Sequence, residues 1–345
     1  MPDAPPPPPP GQPKVWFKPL AIFLSTGVGL VAIAALMIHQ ERLVLSFTPF
    51  EFRFQKPPVY LHEQGHEVTG HRYVFDEKLG WRNVPGWKAT TFGKPLTISS
   101  QGFRDRHYSL AKPPGIKRML VLGDSFTWGY GVGDQEIFTE VLERELNSRG
   151  QEWEVINTGV SGWGTDQEYL FFRNEGRHFE PDFVVLAYYL GNDWGNNVAT
   201  IQYHLGKPCF TDTNLTRVIP PVLNPGKEFD YNMSLEPVAH SIALVKATHD
   251  LCREIDAEFL FLFFGALGVE PGSQTDRFAR KFVPAITNVS SERQVDFIDV
   301  DMSFVRSGAT SQAVFGGNND GHWNANGHRL VAGFVFRWLQ ENSDR

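Results

Sequence analysis

The amino-acid sequence predicts an α/β protein whose main domain, residues 117–345, is a three-layer α/β/α sandwich around a mostly parallel sheet. Two observations carry this expectation. Short apolar runs alternate with stretches of helical periodicity, and repeated βα units of that kind imply a mostly parallel sheet with helices on both faces. Glycine-rich polar segments follow the apolar runs, at the strand ends where open α/β sheets collect functional groups.

The elements follow in order. Residues 118–122 are an apolar run closing on Gly123, which reads as a buried strand opening into a loop. Phe138, Val141, Leu142 and Leu146 recur at helical spacing, and Gly150 ends that helix. Residues 153–156 and 183–189 read as a second and a third strand, with a helix over 166–172 between them. Residues 195–235 show little periodicity and are taken as a long insertion near the site. A long helix is expected over 236–255, and strands over 259–264 and 295–298. Leu330, Val331, Phe334, Val335, Trp338 and Leu339 form the apolar stripe of a C-terminal helix.

The chain ahead of this domain divides by composition. Residues 1–18 hold an unbroken proline run from 5 to 10 and read as a disordered or polyproline II tail. Residues 19–38 contain no charged residue and have the length a helix needs to cross hydrocarbon, so they are expected to form one transmembrane helix. Ala32-Ile33-Ala34 has the form of a cleavage site, but apolar residues continue beyond it, which favours an uncleaved anchor. Lys14 and Lys18 nearly balance Arg42, Arg53 and Lys56 across the span; the expected arrangement is a short tail inside and a large domain on the extracytoplasmic side. Residues 39–58, with Phe47, Phe50, Phe52 and Phe54, are the membrane-proximal connector, and 59–116 the lead-in of the main domain.

Composition excludes some functions. With 345 residues, 41% of them hydrophobic, the chain can bury a large core. A net charge of -7 and the lack of a Lys/Arg block argue against a nucleic-acid partner. Cys209 and Cys252 are the only cysteines, too few for a cysteine-based zinc site or a disulfide scaffold, although one bridge between them stays open in an oxidising compartment. The stretch His62-Glu63-Gln64-Gly65-His66 matches the H-E-x-x-H pattern of zinc proteases. Gly65 and Gly70 oppose a helix there, Pro57-Pro58 precede it, and no apolar stripe or third ligand accompanies it, so a polar loop is expected and no metal or cofactor is called for.

The strand ends carry the chemistry. Ser125 lies just past the first strand in Gly123-Asp124-Ser125-Phe126-Thr127, a weak signal alone. Asn157-Thr158-Gly159-Val160-Ser161-Gly162 follows the second strand and Gly191-Asn192-Asp193 the third. A glycine N–H and an asparagine amide are suitable donors for a developing oxyanion. His322 stands just before the last helix, with Asp320 beside it to hold the imidazole. Asp124, Asn157 and Asp193 are read as loop-holding groups.

These four blocks, in this order, resemble the SGNH hydrolases, also called the GDSL esterase/lipase family, from about residue 118 to 338. Leu79-Gly80-Trp81 and Gln101-Gly102-Phe103-Arg104-Asp105 look like the lead-in of membrane-anchored bacterial members. The resemblance implies the flavodoxin-like fold of that family. It makes Ser125 the nucleophile and one oxyanion donor, Gly162 and Asn192 the other donors, and His322 the base. The family's last block is usually Asp-x-x-His, whereas Asn319 holds that Asp position here. Asp320 can still face the imidazole, because i and i+2 share a side in an extended segment, and some polysaccharide O-acetyl-transferring relatives are similar in using Asp-x-His. Asp299, Asp301 or a Ser-His dyad are the fallbacks. Trp128, Trp163, Trp194 and Trp323 flank the site residues and would suit a sugar ring, or belong to the core. The expected function is a membrane-anchored serine esterase removing O-acetyl groups from a polysaccharide. The alternatives are an O-acetyltransferase with the same residues, a lipid esterase, and a catalytically silent envelope-assembly or glycan-binding module.

Overall fold

The structure, a computed structural model, describes residues 44–48, 51–55, 60–61, 73–150, 152–232, 234–267, 269–316 and 321–342. The expected tail and transmembrane span, the HEQGH stretch and Asp320 lie outside these residues. Among the described residues no helix is long and apolar enough to cross a membrane. Residues 1–59 and 60–345 form two separate units. In the first, Val44–Thr48 and Glu51–Gln55 pair as an antiparallel hairpin within the expected connector.

The second unit is organised by five parallel strands. They are β1 (Lys117–Leu122), β2 (Trp153–Asn157), β3 (Phe183–Tyr189), β4 (Glu258–Phe264) and β5 (Asp296–Asp299). Their spatial order is β5-β4-β3-β1-β2, and every neighbouring pair is parallel. This is the flavodoxin-like order, which reverses direction between β1 and β3 and leaves a crevice beyond their carboxyl ends.

The helices are α1 (Ser125–Trp128), α2 (Phe138–Asn147), α3 (Thr165–Asn174), α4 (Asp193–Asn196), α5 (Pro237–Glu254), α6 (Gln274–Arg293), α7 (Val300–Arg306), α8 (Ser311–Phe315) and α9 (Ala325–Asn342). Side chains of a strand alternate between faces. Leu120, Leu122, Val184, Leu186, Phe261 and Phe263 accordingly join one core with α3, α5 and α6. Met119, Val121, Val185, Ala187, Leu260 and Leu262 join another with α2, α7 and α9. Three layers result.

Most predicted elements are present within a residue or two of their expected ends. The additions have physical reasons. Helix α6 carries Pro284 inside it, a residue that ordinarily breaks helices, at a cost of about 3 kcal/mol. Burial of Phe278, Phe282, Ile286 and Val289 along one face offsets that cost. The lead-in is β-rich: Tyr60–Leu61, Tyr73–Asp76 and Gly80–Asn83 form one antiparallel sheet, and Lys88–Thr91 pairs with Lys94–Thr97. Cys209 and Cys252 are separate buried thiols, so no bridge joins them.

The insertion after α4 folds into short antiparallel pairs. Ala199–Gln202 lies between Leu205–Gly206 and Asp230–Tyr231, and Cys209–Phe210 pairs with Val218–Ile219. One buried cation ties it down. Lys207 Nζ lies 2.5 Å from Asp166 Oδ2 at the start of α3, with neither side chain exposed. It also donates to the carbonyls of Asn196, Ala199 and Pro208. A buried charge is tolerated only when paired and hydrogen-bonded. Lys207→Met, which strands the Asp166 carboxylate, is expected to lower the unfolding free energy by about 3–5 kcal/mol in urea titration at pH 8. A loss within about 1 kcal/mol of zero would show that the ion pair does not hold the insertion.

Candidate active site

The residues singled out from three strand ends meet in one crevice. Ser125 opens α1 directly after β1, and the preceding Asp124 caps that helix by accepting from Phe126 N at 2.9 Å. The loop after β2 is pulled against α1. Asn157 Nδ2 donates to Thr127 O at 2.8 Å, while Asn157 Oδ1 accepts from Gly159 N at 3.0 Å. At Gly159 a Cβ would stand 2.5 Å from Trp128 N, so only glycine permits this approach. Asp193 starts α4 and accepts from Tyr189 N at 2.8 Å, setting the turn that carries Asn192. Asp124, Asn157 and Asp193 thus hold loops.

His322 reaches Ser125 from the far end of the chain. Its Nε2 lies 2.7 Å from Ser125 Oγ, a normal hydrogen-bond length. The neighbours of both residues set this distance. Trp323 is buried against Phe126 and Phe264, with ring centroids 4.9 and 4.5 Å apart. Asn324 Oδ1 accepts from the backbone N–H groups of Asn326 and Gly327 at the head of α9. The imidazole itself packs on Phe126 and Tyr130, at 4.6 and 4.7 Å.

A cavity of about 260 Å³ opens over the pair, lined by Ser125, Phe126, Tyr130, Ser161, Gly162, Tyr189, Asn192, Tyr203, Gly321 and His322. The two expected oxyanion donors therefore share the cavity with the hydroxyl. Gly162 has φ +80°, and a Cβ there would press to 3.1 Å from the Tyr203 ring. Asn192 Nδ2 faces Tyr203 Oη at 3.5 Å. Asp299 and Asp301, the fallback acids, serve the backbone. Asp299 caps α7 through Met302 N, and Asp301 Oδ2 accepts from the amides of Gly265, Ala266 and Leu267.

Of the two readings left open for the tryptophans, the structure selects the core. Trp128, Trp163 and Trp323 are fully buried and Trp194 is half-buried, stacked on Phe278 in the core. Each ring finds a packing partner inside, where its large apolar area contributes most. The aromatic walls of the cavity are Phe126, Tyr130, Tyr189 and Tyr203, which the sequence did not mark.

The lead-in supports the site from below. Tyr73 Oη and Trp81 Nε1 both donate to Ser161 O, next to Gly162. Asn83 Nδ2 donates to Gly159 O, and Asp105 Oδ2 accepts from Asn157 N at 2.9 Å. Arg104, buried, donates to the carbonyls of Trp128, Gly129 and Val132 behind α1.

A serine hydroxyl hydrogen-bonded to an imidazole, above the carboxyl ends of a parallel sheet, is the arrangement of a serine hydrolase. The chain belongs to the GDSL-like lipase/acylhydrolase family, which matches residues 121–330, and it is accordingly a serine ester hydrolase. No curated protein matches the chain. Solved structures that resemble it include the psychrotrophic esterase EstA from Pseudoalteromonas sp., at 14% identity over 66% of this chain and 100% of that one, with a TM-score of 0.46. The lipase/acylhydrolase from Enterococcus faecalis has 16% identity over 65% and 96% of the two chains, TM-score 0.42. An acetyl xylan esterase from Geobacillus stearothermophilus has 14% identity over 64% and 93%, TM-score 0.43. Likenesses this distant do not carry over a substrate.

Beneath the site lies a group of buried acids. Burial pushes Asp124 up to about 6, against the pull of Phe126 N–H, His322 and Asn192. Burial likewise raises Glu168 well above the ordinary carboxylate range, helped by Asp193, Asp124 and Asp166. Neither oxygen of Glu168 has a hydrogen-bond partner among the described residues. A raised folded-state value means that the native state keeps a proton the unfolded chain releases. The stabilisation is therefore full below the unfolded value and is lost as pH rises toward the folded one. Wild type is expected to lose stability in urea titrations as pH rises from 5 to 8, and Glu168→Gln to show a flatter slope and greater stability at pH 8. Parallel wild-type and variant curves would contradict the assignment.

Proposed function

We propose that the protein is a membrane-anchored serine esterase that works through an acyl-enzyme on short-chain esters, with O-acetyl groups of an envelope or extracellular polysaccharide as its substrate class. The observation that carries the proposal is the 2.7 Å Ser125–His322 contact in a cavity that also holds Gly162 and Asn192. Ser125 Oγ attacks the ester carbonyl carbon as His322 Nε2 takes its proton. The carbonyl oxygen becomes an oxyanion that accepts from the N–H groups of Ser125 and Gly162 and from Asn192 Nδ2. Collapse breaks the carbon–oxygen bond to the alcohol, which leaves with the proton from His322. Water then attacks the Ser125 ester, His322 takes and returns its proton, and the carboxylic acid departs with Ser125 restored.

Two further features support parts of this reading. A cavity of about 260 Å³ is below the usual size for drug-like ligands and suits an acyl group of a few carbons. The uncharged stretch over residues 19–38 supports the anchor. A second reading has its own observation. An adjoining recess of about 480 Å³ shares Phe126, Tyr189 and Gly321 with the cavity, and Phe264, Leu267 and Phe315 give it apolar walls able to take a longer chain.

With p-nitrophenyl acetate, Ser125→Ala and His322→Ala are each expected to lower kcat by roughly 10⁴-fold or more, and the double variant little further, because the two act as a unit. Activity in Ser125→Ala equal to wild type would remove the nucleophile. Across p-nitrophenyl esters of increasing length, kcat/KM is expected to be highest at acetate. A maximum at eight carbons or more would transfer the acyl group to the adjoining recess.

A further inference from the structure

We infer that the insertion after α4 is a carbohydrate subsite, in which Tyr203, Phe229 and Tyr231 form an aromatic path from the catalytic cavity to solvent for the sugar rings that bear the ester. The inference rests on the esterase reading above and names the leaving-group side of that same site.

Three independent observations support it. The first is continuity. Tyr203 is a wall of the cavity, its ring touches Phe229 edge-on at 6.0 Å, and Phe229 and Tyr231 have parallel planes 2° apart at 6.2 Å. The second is exposure: Phe229 and Tyr231 are 39% and 44% exposed, whereas Trp128, Trp163 and Trp323 beside the site residues are buried. Leaving large rings in water forgoes burial energy, so their retention calls for an occupant.

The third is strain. Tyr203 and His204 join the paired residues Gln202 and Leu205, with φ of +53° and +62°. Two successive positive φ values in a two-residue turn are the type I′ pattern, which ordinarily selects Asn-Gly. Histidine is tolerated there but a bulky tyrosine suits it poorly, and strain of this kind concentrates where a side chain must be aimed. Here it lays the Tyr203 ring over Gly162 and its hydroxyl toward Asn192.

The character of the surface selects the occupant. The rings alternate with polar residues, in Tyr203-His204 and in Glu228-Phe229-Asp230-Tyr231. A pyranose presents a C–H face to an aromatic ring and hydroxyls at its rim, so it uses both kinds of group. An acyl chain would use only the first. Val218, Val222 and Leu223 are also exposed on this insertion, which makes a lipid surface the competing occupant.

The test is the ratio of kcat/KM on a chemically O-acetylated polysaccharide to kcat/KM on p-nitrophenyl acetate. Acetylated xylan and acetylated alginate serve as neutral and anionic probes, with the full chain in detergent. The ratio is expected to fall at least tenfold in Phe229→Ala and in Tyr231→Ala, through KM. It should hold at wild type in the aromatic-preserving Phe229→Tyr and Tyr231→Phe, and in Val305→Ala on a distant exposed position. Thermal melts of all five confirm folding. An unchanged ratio in both alanine variants overturns the subsite, as does a wild type that cleaves p-nitrophenyl acetate but neither polymer; the esterase reading survives both outcomes. A wild type inactive on every ester overturns both readings. The lipid alternative is separated with the same full chain in detergent: a Tyr231→Ala variant that loses kcat/KM on micellar phosphatidylglycerol or phosphatidylcholine while its polysaccharide ratio stays at wild type overturns the sugar assignment.

Discussion

The chemistry of the unit formed by residues 60–345 centres on one hydrogen bond, between Ser125 Oγ and His322 Nε2, whose partners are 197 residues apart in sequence. A separation of that size closes only if the fold brings the head of the first βα unit beside the entry to the last helix. The flavodoxin-like strand order does so, because α2 and α9 cover the same face of the sheet. Phe126 and Trp323, the next residues along from the bonded pair, then pack on each other and turn a backbone-scale placement into a side-chain-scale one. The hydroxyl and imidazole are pre-aligned by apolar packing rather than by each other.

The second constraint is the close approach of the loop after β2 to α1. Gly159 permits it, Asn157 bonds across it, and the lead-in segment holds it from behind through Tyr73, Trp81, Asn83 and Asp105. Most of these bonds end on backbone carbonyls or amides of the loop. Unpaired backbone groups are costly in a buried position, so each bond satisfies a group and fixes an orientation together. Gly162 inherits its position from this arrangement. The insertion completes the crevice from the other side, held at its base by the Lys207–Asp166 pair, so that Tyr203 can reach over Gly162.

Much of this was legible in the residues alone, and the reasons differ by element. The strands read clearly because parallel strands buried on both faces are continuous apolar runs, as in Met119 to Leu122 and in residues 259–264. Ser125, Gly162, Asn192 and His322 were singled out by short blocks at strand ends and before a helix together with the family resemblance those blocks carry, and the structure brings all four to one cavity because strand ends converge in this topology. Helix α6 went unread because Pro284 interrupts a pattern that only tertiary burial sustains. The tryptophans stayed open between wall and core because position in sequence beside a site residue does not distinguish the two: Trp128 and Trp323 are fully buried, while Ser125 and His322 line the cavity. The left-handed turn at Tyr203-His204 carries no local signal, since it lacks the Asn-Gly or Asp-Gly pair that marks such turns.

The most direct test of the central claim is covalent. The protein is incubated with a fluorophosphonate, which phosphonylates an activated serine, and the adduct is located by peptide mass spectrometry. The account predicts one adduct per chain, on Ser125, formed in step with loss of esterase activity and absent in His322→Ala. An adduct on another residue, or full esterase activity with Ser125 modified, would contradict it.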